Sequence, residues 1–158
     1  MEVIEQKESF CVLKDISSES FEDFDAMLKR VFLLFKDASN DLLIGADKND
    51  RIALETIDEK HNRITIFISY CLRMLNRGGY NEQYKNSLLY LIIGNMDKIT
   101  DVLKYAARDL LVYNKRVSDE TLKVLSDTLS IMKIYYDFFY KFDVKKVKEM
   151  YALRHKVI

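Results

Sequence analysis

The chain contains no proline and only four glycines in 158 residues. Proline breaks a helix interior and glycine weakens it. Their scarcity favours long, uninterrupted helices. An all-β protein with many tight turns would need more of both. Tryptophan is absent too, and there are only two cysteines, Cys11 and Cys71. Both lie in apolar runs and no C-x-x-C occurs, so no redox or zinc signature is present. They read as small buried hydrophobes in a reducing cytoplasm.

Net charge is also missing. Lys+Arg and Asp+Glu balance at 25 each. Without an overall positive field, direct nucleic-acid binding or attraction to an anionic membrane is not expected. Long apolar runs are absent: "LLYLIIG" is too short to span a bilayer, and "MEVIEQKESFCVLKD" lacks the apolar core of a signal peptide. The expectation is a cytoplasmic protein with no membrane insertion. There is no G-x-S-x-G, P-loop or G-x-G-x-x-G. With two histidines, His61 and His155, acid–base catalysis has few candidates. The chain is not expected to be an enzyme.

Apolar residues make up 49% of the chain, enough for one sizeable core, and charged residues 32%, enough to solvate its surface. "EVIEQKESFCVLKDI" is rich in β-branched and aromatic residues and suits one or two short strands. Five amphipathic helices follow. The first starts at Ser20 as N-cap, carries Phe24, Val31, Phe35, Ala38 and Leu42 at helical spacing, and ends at Gly45. The second begins near Asn49 or Asp50, shows Ala53, Ile57, Ile64, Ile68, Cys71 and Leu75, and stops at Gly78–Gly79. The third runs from about Asn81 to Tyr113 behind Leu89, Ile92, Met96, Ile99, Leu103, Ala106 and Leu110. Ser118 caps the fourth and Asp143 the fifth. Short connections between such helices imply an all-α, antiparallel bundle.

Four features of this pattern bear on function. Asp97 and Asp101 lie about 125° and 165° from the centre of the third-helix stripe, on the open face. Their i, i+4 spacing stacks two carboxylates within reach of one hard cation, although Lys98, Lys104 and Arg108 stand near enough to neutralise them. Asp58 and Asn62 repeat that spacing on the second helix, and Asp58 with His61 makes a D-x-x-H. A ferritin-like di-iron bundle requires two such motifs plus glutamates from two further helices, and His155 has no acid three residues before it; His61 is better explained as a core-edge histidine. "IYYDFFYKF" carries six aromatics around the fourth helix, which suits either core packing or a helix buried on two sides, as at a dimer interface. Lys145, Lys146, Lys148, Arg154 and Lys156 give the fifth helix a basic face, either simply solvated or meeting an acidic partner.

At "NMDKITDVLKYAARDLL" the sequence resembles the third-helix signature of PhoU domains, the phosphate-uptake regulators. Asp97, Lys98, Ile99, Thr100 and Asp101 follow its order of acid, base, isoleucine, small residue and aspartate. Lys98 and the following "LKY" are closest to the archaeal branch. "SFEDFDAMLKRVFLLFKDASNDL" is similar to the family's first helix and "IDEKHNRITIFISYCLRMLNRGGY" to its second. "FYKFDVKKVKEMYALRHKVI" is similar to the start of a second repeat. The resemblance implies a short β or extended segment over residues 1–17, a three-helix repeat over 18–115 and a two-helix partial repeat over 116–158. The AbrB-like module that often precedes this region in archaeal relatives and the last helix of the family's second repeat have no counterpart.

The same resemblance implies regulation of phosphate uptake by protein–protein interaction. Its partners would be a phosphate transporter, a sensor kinase or a transcriptional regulator, and the chain would form a homodimer. It also implies a divalent or iron-type metal ion held by Asp97, Asp101 and Asp58, with Asn62 standing where the family usually has an acid and His61 beside it. The alternatives are a generic helical interaction or dimerisation module and a carboxylate-metal enzyme.

Overall fold

The computed structural model describes the backbone of residues 2–6, 11–14, 21–77 and 83–157, and the side chains of 24–77 and 84–155. Strands β1 (Glu2–Gln6) and β2 (Cys11–Lys14) pair antiparallel, with Val3 opposite Leu13 and an irregularity between Val3 and Glu5. The helices are α1 (Phe21–Lys48), α2 (Arg51–Arg77), α3 (Asn86–Tyr113), α4 (Asp119–Tyr140) and α5 (Val144–Val157). A 3-10 turn over Gln83–Lys85 leads into α3, so the α-helix proper begins five residues later than the expected Asn81. Two expected signals, the Ser20 cap and the Gly78–Gly79 stop, lie outside the described residues. No helix among the described residues is long and apolar enough to cross a membrane.

The helices form an antiparallel bundle, as their cross-pairings show. Along α1 and α2, Gly45 meets Leu54 and Asp37 meets Lys60. Along α2 and α3, Asp58 meets Arg108 and His61 meets Asp101. Along α1 and α4, Ala46 meets Val117 just before α4, and Phe32 meets Tyr136. Rising numbers on one helix meet falling numbers on the other each time.

The core is built by α1, α2 and α3. Phe24, Leu28, Val31 and Leu42 on α1 pack with Leu54, Ile57, Ile64 and Ile68 on α2 and with Ile93 and Met96 on α3. Cys71 is fully buried among them. Burial, with a smaller push from the Asp25 charge, raises its thiol pKa to about 12, so no reactive thiolate forms near neutrality. Two hydroxyls enter the core because each donates to the carbonyl one turn back: Ser39 to Phe35 (2.8 Å) and Thr100 to Met96 (2.7 Å).

The helix ends follow local chemistry. Asp50 accepts from the Ala53 N–H (3.2 Å), Ser118 from Thr121 (3.3 Å) and Asp143 from Lys145 (2.8 Å), each satisfying an orphan donor of a first turn. Gly45 does not end α1. The helix runs three residues further and stops where Asn49 takes the left-handed conformation (φ 53°). Gly45 is needed for close approach instead: a Cβ there would stand 2.4 Å from Leu54 Cγ. Leu54, not the half-buried Ala53, is accordingly the α2 residue that enters the core.

Packing on α4 is of a different kind. Phe32 of α1 sits among Tyr135, Tyr136, Phe139 and Tyr140, with ring centroids 5.1–6.2 Å apart in tilted and edge-on arrangements. Phe138 instead packs on Phe142 (5.2 Å), which is 71% exposed. Thus four of the six aromatics serve one core contact and two do not. α5 packs on α4, where Lys146 reaches Asp137 (3.8 Å), and leaves Val144, Val147 and Tyr151 exposed.

Gly45 and Gly94 give a paired prediction. Gly45→Ala is expected to destabilise the fold by about 1–3 kcal/mol through overpacking. Gly94→Ala, with nothing within 4 Å of the added carbon, is expected to gain about 0.5–1 kcal/mol from helix propensity. Gly45→Ala/Leu54→Ala should cost no more than Leu54→Ala alone. Urea unfolding measures all four; a Gly45→Ala protein as stable as wild type would contradict the close-approach argument.

Candidate functional site

The polar edges of α2 face both neighbours. Toward α1, Lys60 bridges Asp37 and Asp41, and Thr56 donates to Asp41 (2.9 Å). Burial opposes the Lys60 charge, but hydrogen bonds and attraction from the two aspartates outweigh it and hold its pKa above the ordinary lysine value. Two D/T-x-x-x-D/K pairs, Asp37/Asp41 and Thr56/Lys60, were available in the sequence as the signal for this contact.

Toward α3 lies the seam that contains the expected site residues. It exists because α3 is turned relative to its apolar pattern. The buried residues are Leu89, Ile93, Met96, Thr100, Leu103 and Ala107, whereas Ile99 is exposed and Ile92, Ala106 and Leu110 are only partly buried. The core direction is therefore rotated by about 50° from the expected stripe, toward the aspartates. Asp97 and Asp101 sit at the bundle's flank, half-buried, rather than on the open face.

Asp101 Oδ1 receives two donors: Lys104 Nζ at 2.7 Å and His61 Nε2 at 2.8 Å. Lys104 Nζ and His61 Nε2 are themselves 3.1 Å apart. An ammonium can only donate and a carboxylate can only accept, so Asp101 is the group that reconciles them. Lys104 and His61 are 12% and 13% exposed, Asp101 44%. The nearly buried ammonium is the group that needs compensation, and the carboxylate supplies it. Hydrogen bonds from Lys104, then from His61, hold the Asp101 carboxyl below the usual carboxylate range. Asn62 Oδ1 lies 3.3 Å from His61 Nδ1 on the solvent side.

Two turns further along α3, Arg108 grips Asp58 through Nε (3.2 and 3.3 Å) and Nη2 (3.0 and 3.1 Å) in a fork arrangement. The fold thus joins His61, Asn62 and Asp101 in one chain of contacts and holds Asp58 beside it on Arg108. Asp97 makes no hydrogen bond or ion pair among the described residues. Lys104 and Arg108 become integral to the seam. Among the described residues, no three His, Cys, Asp or Glu side chains converge as a metal-binding group. As folded, the donor set fits a metal poorly, because cations hold the carboxylates that would bind it.

The seam's electrostatics give a pH prediction. Asp101 is depressed in the folded state, so its contribution is complete above the ordinary carboxylate pKa and is lost as pH falls through the depressed value. Asp101→Asn should lower the melting temperature at neutral pH clearly more than Asp97→Asn does. The gap should close in acid, once the native carboxyl is protonated as well. Equal melting of the two variants at neutral pH would remove Asp101 as the group compensating Lys104.

The chain matches no protein-family model, no curated protein and no solved structure.

Proposed function

We propose that the chain is a PhoU-like regulator of phosphate uptake, acting by protein–protein recognition through its helix faces. The reading starts from the resemblance of Asp97-Lys98-Ile99-Thr100-Asp101. One observation supports it: the Asp97/Asp101 turn lies across from the Asp58/His61 turn, with His61 and Asp101 in direct contact. That is where the carry-over from the family sets paired polar turns on neighbouring helices. Recognition is favoured over turnover because Asp58 and Asp101 are engaged by Arg108, Lys104 and His61, leaving no free acid–base pair in the seam. Partners would be a phosphate transporter, a sensor kinase or a transcriptional regulator, and the chain itself would pair as a homodimer in the cytoplasm. A generic interaction bundle is the second reading, favoured by the apolar surface left on α3 and α5.

Affinity capture of the tagged chain from phosphate-limited and phosphate-replete cells of its host separates the two. Enrichment of a transporter, kinase or transcriptional component under limitation is expected. A set of captured proteins indifferent to phosphate would leave only the generic bundle.

Metal binding belongs to the same reading and would be weak. Asp97 makes no hydrogen bond or ion pair among the described residues, but an ion would have to displace the Lys104 ammonium from Asp101. Calorimetric titration with Mn²⁺ should show weak binding to wild type and none to Asp97→Asn/Asp101→Asn. Lys104→Met should bind several-fold more tightly, since a like charge has been removed from the ion's position. Identical isotherms for wild type and the aspartate double variant would end the metal hypothesis.

A further inference from the structure

The C-terminal end of α3 borders a groove of about 620 Å³ that the seam does not use. Leu42 and Ala46 of α1, Ala106 and Leu110 of α3 and Leu125 of α4 supply its walls, which are almost wholly hydrocarbon. Two of the lining residues, Ala46 and Ala106, are small. The link from α3 to α4 passes one end and is stapled in place. The Val117 N–H donates to the Ala46 carbonyl (3.4 Å), and Arg116 pairs with both Asp47 (3.1 Å) and Asp119 (2.8 Å). The walls are therefore held apart before anything binds, which lowers the cost of binding.

One charge lines this groove. Asp109 makes no hydrogen bond or ion pair among the described residues. Of the link's cations, Arg116 is held by its two aspartates, and Lys115 lies over the ring of Tyr113 at the groove's rim (5.9 Å) with no ion pair to Asp109 among the described residues. A largely apolar hollow of a few hundred Å³ with few polar groups is the usual form of a small-molecule site. A single unneutralised carboxylate on its lining sets the sign of the headgroup.

We infer that this groove binds an elongated apolar molecule carrying one protonated amine, its hydrocarbon part against Leu42, Ala106 and Leu110 and its ammonium at Asp109. The volume, the stapled end and the lone carboxylate together favour such an amphiphile over a second copy of the chain.

Decylammonium and decanoate, titrated calorimetrically below their micelle concentrations into the whole chain, serve as probes. Decylammonium is expected to bind one to one, and decanoate more weakly. Asp109→Asn should weaken decylammonium about three- to fivefold, the effect of a partly exposed ion pair, without weakening decanoate. Ala106→Phe, which fills the hollow, should weaken both while circular dichroism stays that of the wild type. Absence of saturable decylammonium binding would overturn the inference, as would equal affinity for the two ions unaltered by Asp109→Asn. So would a ligand-free dimer in light scattering that Asp109→Asn or Ala106→Phe dissolves, since a second copy would then be the occupant.

Discussion

Leu54 occupying the space that Gly45 leaves is the contact on which the bundle's register depends. α2 packs extensively on both α1 and α3, while α1 and α3 meet much less. The seat of α2 therefore fixes both its neighbours. With Leu54 against Gly45, Thr56 and Lys60 fall opposite Asp41 and Asp37, and Asp58 and His61 fall opposite Arg108 and Asp101. A slip of one helical turn, about 5.4 Å, would still bury aliphatic residues but would strand these charges. Apolar packing tolerates rearrangement. A nearly buried ammonium without its carboxylate does not.

The seam accordingly has a structural reason to exist before it has a functional one. Rotation of α3 toward its acidic edge carries Lys104 down with it, leaving that side chain 12% exposed. Asp101 then becomes the group that makes the burial tolerable, and His61 completes the contact. The acidic turn that the resemblance makes a metal site thus meets, at Asp101, a cation the chain itself supplies. Of the seam's three aspartates, Asp58, Asp97 and Asp101, only Asp97 makes no hydrogen bond or ion pair among the described residues. Any external ion there competes with an internal one held at hydrogen-bond distance.

The helices, their order and three of their caps, at Asp50, Ser118 and Asp143, were legible because each rests on local chemistry. The role of Gly45 was not: a glycine near a helix end signals a stop unless a partner presses on it, and Leu54 does. The α3 stripe was misplaced for a related reason. That helix is apolar on two sides, with Leu88, Leu91 and Val102 exposed on the outer one, so the centre of its hydrophobicity is not the direction of the core. Thr100 further concealed the core face, being polar in sequence yet satisfied by the Met96 carbonyl. Of the site, the i, i+4 acids and their neutralising bases could be seen. The meeting of His61 with Asp101 could not, because it depends on the angle of α3.

That two-sided character of α3 separates two kinds of surface. Asp97 and Asp101 lie about 110° around the helix from Leu91 and Val102, so the charged seam and the apolar outer face look in different directions. The seam is nearly balanced internally and offers an approaching protein little net field. The outer face, the exposed Val144, Val147 and Tyr151 of α5 and the groove beside Asp109 offer apolar area instead. Apolar area and not charge supplies most association energy. The apolar faces left uncovered by the core are therefore the larger resource for association, while Asp101 of the acidic motif ties α3 to His61 of α2.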